Sequence, residues 1–89
     1  MKLNEFKEKF ASELSKFGAS KTEFVSRGKK LVASVDVKGR DSIDTLSNIG
    51  AIEFKAGKLA SKYRLGKVEV NETYNSGRRA HLLITIGLK

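Results

Sequence analysis

Apolar residues recur every three or four positions through the first seventeen residues of the chain, which is the spacing of one helix face. They are Leu3, Phe6, Phe10, Leu14 and Phe17. Gly18 follows directly, at the position where a helix end favours a left-handed residue. The pattern predicts an amphipathic helix that packs this face into a core.

Four later segments have the features of strands, and two of them, residues 30–38 and 80–88, alternate apolar and polar residues with the period of a strand that has one buried face. Residues 22–27 and 30–38 form the first pair, with a glycine-containing turn between them. Residues 67–74 and 80–88 form the second pair, separated by the turn sequence Asn-Ser-Gly at 75–77. The alternation therefore predicts two β-hairpins.

A second helix is predicted between the hairpins. Residues 41–44 have the features of a helix start, because a capping side chain is followed by an early acid. Apolar or small residues then recur at spacings of four and three: Thr45, Ile49, Ile52, Ala56, Leu59 and Tyr63. The spacing predicts one helix to about Arg64. Gly50 permits an alternative in which the helix breaks and residues 51–56, which also alternate, form a strand.

The order of elements is helix, hairpin, helix, hairpin, in a chain of 89 residues. A chain of this length supports one modest core, so we expect a single domain over 1–89. A four-stranded antiparallel sheet with two helices packed on one face buries every apolar stripe. The predicted fold class is α+β, with the order αββαββ.

Charge adds a partner class to this picture. Eighteen Lys and Arg residues face ten Asp and Glu residues, for a formal net charge of +8. Residues 27–40 and 55–67 each carry five cations, whereas residues 41–54 carry three anions and no cation. Two separated basic blocks on a small chain are typical of a surface that binds phosphate.

We expect the basic residues of the second helix and of the two hairpin tips to converge into one patch, with the tips at the same end of the sheet. The expected nucleic-acid-binding residues are Arg27, Lys29, Lys30, Lys55, Lys58, Lys62, Arg64, Lys67, Arg78 and Arg79. Such a patch predicts a non-enzymatic nucleic-acid-binding protein with little sequence specificity, for RNA or single-stranded DNA more than duplex DNA. The alternative is that these turns are charged only for solubility.

The second helix predicts another kind of surface. If the helix is continuous, Phe54 lies almost opposite the core, with small residues beside it on the same face. These four candidate partner-interface residues are Gly50, Phe54, Gly57 and Ser61. The alternative function is a protein-interaction module, such as a phage-type inhibitor or regulator that docks on a host enzyme, with or without RNA. A homodimer through the same face is a further alternative, and a broken helix would instead bury Phe54.

The composition argues against most enzyme and metal sites. The chain has no cysteine and a single histidine, His81, so thiolate chemistry and two-histidine metal sites are excluded. No phosphate-binding loop or other catalytic motif occurs, and nothing favours the remaining alternative of a metal-independent nuclease. No apolar run is long enough to cross a membrane. We therefore expect a cytoplasmic protein that is not an enzyme and has no cofactor, no metal and no membrane partner.

Overall fold

A computed structural model describes residues 3–88. Its elements are α1 (Leu3–Ser15), β1 (Ala19–Arg27), β2 (Lys30–Lys38), α2 (Ser42–Lys62), β3 (Val68–Asn75) and β4 (Arg79–Gly87). The helices pack against one face of a four-stranded antiparallel sheet, which confirms the predicted αββαββ order and the α+β class.

The strand order is β1-β2-β4-β3, so β2 and β4 form the centre and β1 and β3 form the edges. In the central pair, Lys30 lies opposite Gly87 and Lys38 lies opposite Arg79. The turn between β1 and β2 therefore lies at one end of the sheet, and the turn between β3 and β4 lies at the other. We call these the hairpin-1 end, at Lys30, and the hairpin-2 end, at Lys38.

The core lies between the inner sheet face and the two helices, as the alternation predicts. Three α1 residues, Phe6, Phe10 and Leu14, are buried against it, and the Phe10 ring meets the Phe24 ring of β1 edge-on at 5.6 Å. The central strands and α2 supply most of the other buried apolar side chains: Leu31, Ala33, Val35, Val37, Ile52, Ala56, Leu59, Ala60, Ala80, Leu82, Ile84 and Ile86.

The long second helix is continuous, so the alternative with a break at Gly50 does not occur. Two carboxylates cap the start of this helix. The Asp41 carboxylate accepts a hydrogen bond from the Asp44 backbone N–H at 2.8 Å, and the Asp44 carboxylate accepts one from the Arg40 backbone N–H at 2.8 Å. The helix ends at Lys62, two residues before the predicted boundary.

The first strand begins at Ala19, three residues earlier than predicted. Its pairing with β2 shifts between Ser20 and Glu23, and this bulge interrupts the alternation of inward and outward residues at the start of the strand. The pairing of β3 with β4 shifts in the same way between Glu72 and Tyr74. Both bulges lie in edge strands, and both lie at the hairpin-2 end.

Candidate nucleic-acid interface

The sheet register shows that the prediction of one convergent basic patch is wrong. The tip of the first hairpin, with Arg27, Lys29 and Lys30, lies at the hairpin-1 end, whereas Arg78 and Arg79 lie at the hairpin-2 end. A hairpin turn lies where its own two strands meet, and β2 and β4 run in opposite directions. The two tips are therefore separated by the full length of the sheet.

The hairpin-1 end also receives the linker that joins α2 to β3. The Gly66 N–H donates to the Gly87 carbonyl oxygen at 2.7 Å, and Gly87 is the residue that pairs with Lys30. This connection places the last two cations of the second basic block at the same end. The resulting cluster consists of Arg27, Lys29, Lys30, Arg64 and Lys67, all of them exposed.

The three lysines of α2 belong to the helix layer, on the other side of the sheet from its solvent face. Lys55 is half-buried and lies 3.5 Å from the Glu13 carboxylate of α1. Lys16, and then Lys55, hold the pKa of Glu13 below its ordinary value. The Lys58 ammonium lies 5.5 Å from the centre of the Phe54 ring. These contacts assign Lys55 and Lys58 to the helix layer and separate them from both ends of the sheet.

Lys62 lies beside α1, where it shares a cavity with Glu5 and Tyr63. Burial, followed by the charge of Glu5, raises the pKa of the Tyr63 hydroxyl. Because Glu5 and Glu8 line the cavities around Lys62, its charge is partly balanced. The lysines of α2, which were expected to join the hairpin tips in one patch, thus do not extend the basic ends of the sheet.

The outer face of the sheet is open, because both helices pack on the inner face. Its centre carries mainly polar side chains from β2 and β4, together with two apolar ones, as the alternation predicts: Ser34, Asp36, His81 and Thr85, with Val32 and Leu83. Tyr74 lies at one side of this face, opposite His81, and is 57% exposed. It is the aromatic residue best placed to stack on a ligand across the face.

A cavity of about 370 Å³ opens on this face at the hairpin-2 end. Three cations line it, one from each of the strands β1, β2 and β4, together with a single carboxylate, Asp36. Of the three, only Arg79 was among the residues expected from the sequence. The full lining is Ser20, Lys21, Asp36, Val37, Lys38, Tyr74, Arg79, Ala80 and His81.

The two bulges shape this cavity. Lys21 lies inside the β1 bulge and has a positive φ of 52°, which is uncommon for a residue with a side chain. Tyr74 follows directly after the β3 bulge. Bulges bend a strand and redirect its side chains, so they bring Lys21 and Tyr74 to the cavity from the two edges of the sheet. The sequence pattern does not predict that Lys21 and Tyr74 reach the cavity, because a bulge is visible in a sequence only as an interruption of the apolar–polar alternation.

His81 connects three strands on the outer face. Its Nε2 lies 2.7 Å from the Ser34 hydroxyl, its Nδ1 lies 2.7 Å from the Thr73 hydroxyl, and Asp36 lies 3.9 Å from Nε2. A serine beside a histidine has the geometry of a nucleophile and its base, but here a threonine stands where a triad has a carboxylate. Ser34 also lies in a central strand, paired on both sides. The described residues therefore present no free donor pair for an oxyanion next to it.

The outward face of α2 carries the four predicted partner-interface residues in one place. Gly50, Phe54, Gly57 and Ser61 line a shallow groove of about 710 Å³, to which Val68 of β3 also contributes. Phe54 is 69% exposed, as the continuous helix predicts. A side chain added at either glycine would meet no described atom within 4 Å, so the groove is open.

Residues 3–88 contain neither a metal-binding cluster nor a membrane-spanning helix. No group of three or more His, Cys, Asp or Glu side chains is arranged to hold a metal ion. No helix in this part of the chain combines the length and the apolar character needed to cross a membrane.

Comparison with family models, with curated proteins and with solved structures found no match to this chain. The function is therefore inferred from the geometry of the molecule.

Proposed function

We propose that the protein is a small non-enzymatic nucleic-acid-binding protein that acts in the cytoplasm. RNA or single-stranded DNA lies along the outer face of the sheet, and its phosphates contact the two basic ends. One observation carries the proposal: an open sheet face is flanked at both ends by exposed cations. Within residues 3–88, no carboxylate lies within 4.0 Å of the charged groups of Arg27, Lys30, Lys21, Lys38 or Arg79.

The dimensions fit a short single strand. Eight residue steps along β2, from Lys30 to Lys38, separate the two ends, which corresponds to roughly 26 Å at about 3.3 Å per residue. This length suits a site on the order of four to eight nucleotides. Lys and Arg contacts to phosphate carry no sequence information, so we expect little preference among sequences.

Tyr74 supports the preference for unpaired bases. It stands on the outer face beside the cavity of the hairpin-2 end, where a base can stack on its ring while the adjacent phosphates contact Lys21, Lys38 or Arg79. A duplex keeps its bases stacked on one another and makes only the phosphate contacts. We therefore expect weaker binding of duplex DNA than of a single strand of equal length.

A fluorescent-oligonucleotide titration at several salt concentrations tests the proposal. The wild-type protein should bind single strands, and its affinity should fall steeply with salt because each neutralised phosphate releases counterions. The double variants Lys21→Glu, Arg79→Glu and Arg27→Glu, Lys30→Glu should each lose at least about tenfold in affinity.

The matched control is Lys9→Glu, Lys62→Glu, which makes the same change in net charge within the helix layer. It should lose less than about threefold. Binding that is indifferent to salt, or an equal loss in all three double variants, would contradict a site on the sheet face.

A second candidate function is protein docking through the outward face of α2, as in an inhibitor or regulator of a host enzyme. The open groove and the exposed ring of Phe54 favour it. Phe54→Ala should abolish a protein complex and spare oligonucleotide binding, whereas the double variants at the sheet ends should do the opposite. A pull-down with and without ribonuclease separates a protein bound directly from one bound through RNA.

A further inference from the structure

The exposed apolar surface of α2 extends beyond the predicted groove. Ile43 and Leu46 are 78% and 58% exposed, and they continue the surface of Phe54 toward the start of the helix. With about 100° per residue, these three side chains fall within roughly 80° of one another on the face opposite the core. Apolar residues on both faces of a helix indicate that the second face has its own partner.

Small residues occupy the positions between the large ones on this outward stripe. The stripe reads Ile43, Leu46, Ser47, Gly50, Phe54, Gly57 and Ser61. Two of its three large residues, Ile43 and Leu46, lie in the first half, and the stripe ends on the small residues Gly57 and Ser61. A helix with this distribution packs closely against a second helix that presents the same two kinds of residue in reverse order.

A second copy of α2 that runs antiparallel to the first presents its large and small residues in this reverse order. If two copies of α2 run antiparallel with Ile52 of each copy at the centre, Phe54 lies opposite Gly50 of the other copy, and Ile43 lies opposite Ser61. In the same register Leu46 lies on the same flank as Gly57 of the other copy, one residue away along the helix axis. The pairing is mutual, as a two-fold interface requires, and each large side chain lies beside a small residue.

Charge favours the same arrangement. In this register the Lys58 of one copy lies on the same flank as Asp44 of the other, about two residues along the helix axis, or roughly 3 Å. The helix as a whole is close to neutral, with three lysines against Asp44 and Glu53. A dimer formed through α2 therefore pairs opposite charges and keeps the strongly basic ends of the two sheets out of the contact.

We propose that the protein forms a two-fold dimer in which α2 of one copy packs antiparallel on α2 of a second copy. The inference rests on the docking face of the second candidate function and does not use the sheet face. A contact made by one helix from each copy is small, so we expect a reversible dimer that depends on concentration. Because each sheet faces away from the contact, both proposed nucleic-acid surfaces stay accessible.

Sedimentation equilibrium of the full chain, up to about 200 µM, tests the association. The mass should rise from 9.8 kDa toward twice that value as concentration increases. Gly50→Ala is the key variant, because the added methyl group meets no described atom within the monomer and alanine favours a helix. It should keep or raise thermal stability while weakening the dimer at least about tenfold, since it fills the space opposite Phe54.

The antiparallel register can be tested by disulfide cross-linking, because the natural chain has no cysteine that would form other disulfides. Ser47 lies opposite Gly57 of the other copy, so the double variant Ser47→Cys, Gly57→Cys should form a disulfide-linked dimer under mild oxidation. Each single variant is a matched control. Its two sulfur atoms would lie on the order of 15 Å apart along the helix axis, which is too far for a disulfide.

A mass of 9.8 kDa at every concentration would overturn the proposal, as would an unchanged dimer in Gly50→Ala. Cross-linking of the single cysteine variants as efficiently as the double variant would overturn the antiparallel register. Binding of a foreign protein by a strictly monomeric chain would assign the α2 face to that protein instead. None of these results alters the oligonucleotide test, so the two proposals fail separately.

Discussion

The two ends of the sheet carry similar charge but differ in construction. The hairpin-1 end has a regular two-residue turn in which Gly28 alone takes a positive φ, and its cations project from that turn and from the linker after α2. The hairpin-2 end has two bulged edge strands, a left-handed lysine and a cavity between strands. Its cations are Lys21, Lys38, Arg40, Arg78 and Arg79.

This difference separates attraction from recognition. Cations on an open turn raise the affinity for any polyanion and fix little about its geometry. Cations that line a cavity beside an aromatic ring and a carboxylate hold a phosphate, a base and a sugar in defined positions. Under the proposed function, we therefore expect general attraction at the hairpin-1 end and nucleotide contact at the hairpin-2 end.

The largest expected effect is a loss of unfolding free energy when a side chain is added to a glycine at one end of the sheet but not at the other. A side chain at Gly18 would overlap the Lys38 carbonyl oxygen, and Gly18 has a φ of +78°, so Gly18→Ala should cost about 3 kcal/mol of unfolding free energy. Gly28→Ala is the matched change at the other end. It meets no described atom within 4 Å and should cost about 1 kcal/mol, from its backbone alone. Urea denaturation measures both, and equal costs would show that the two ends are equally open.

Tyr74 provides the sharpest test of nucleotide contact. Tyr74→Ala should weaken binding of a single strand by about 1–3 kcal/mol, because stacking on the ring is lost. Tyr74→Phe keeps the stacking surface and should retain most of the affinity. Both variants should bind duplex DNA as the wild type does. A fluorescence titration in which Tyr74→Ala binds a single strand normally would remove the distinction between the two ends.

The left-handed residues allow a paired test, because one lies at each end. Arg64 has a φ of 57° at the hairpin-1 end and Lys21 has a φ of 52° at the hairpin-2 end. Substitution of either by glycine should raise stability by about 0.5 kcal/mol, as relief of backbone strain outweighs the added flexibility of the unfolded chain. Lys21→Gly should weaken oligonucleotide binding more than Arg64→Gly in parallel thermal and binding measurements. The reverse order would place the nucleotide contact at the hairpin-1 end.

The smallest effect is a pH dependence at the start of α2. The Arg40 backbone N–H, followed by its side chain, lowers the pKa of Asp44 from its ordinary value of 3.8. A folded pKa below the unfolded value adds stability above the unfolded pKa, and this is lost as the pH falls through the folded pKa. The melting temperature of the wild type should therefore fall more steeply between about pH 5 and pH 2 than that of Asp44→Asn. Parallel curves would show that the carboxylate contributes nothing as a charged cap.

Local patterns predicted the fold because each element is specified by nearby residues. The alternation in 30–38, the helical spacing from Thr45 to Tyr63 and the capping residue Asp41 each act within a few positions of the chain. The exposure of Phe54 followed from the same periodicity once the helix was continuous. The same spacing places Ile43 and Leu46 on the outward side of the helix, although the predicted partner interface includes only Phe54 and the small residues around it.

The order of elements, the residues of the core and the excess of positive charge depend on local periodicity and on composition, so they can be predicted from the amino-acid sequence. The positions of the charges, in contrast, depend on how the strands pair. Strand order and register separate Arg27 from Arg79 by the length of the sheet, and two bulges bring Lys21 and Tyr74 to one cavity. Pairing between distant strands sets these positions, and it leaves no regular mark on the sequence of any one strand.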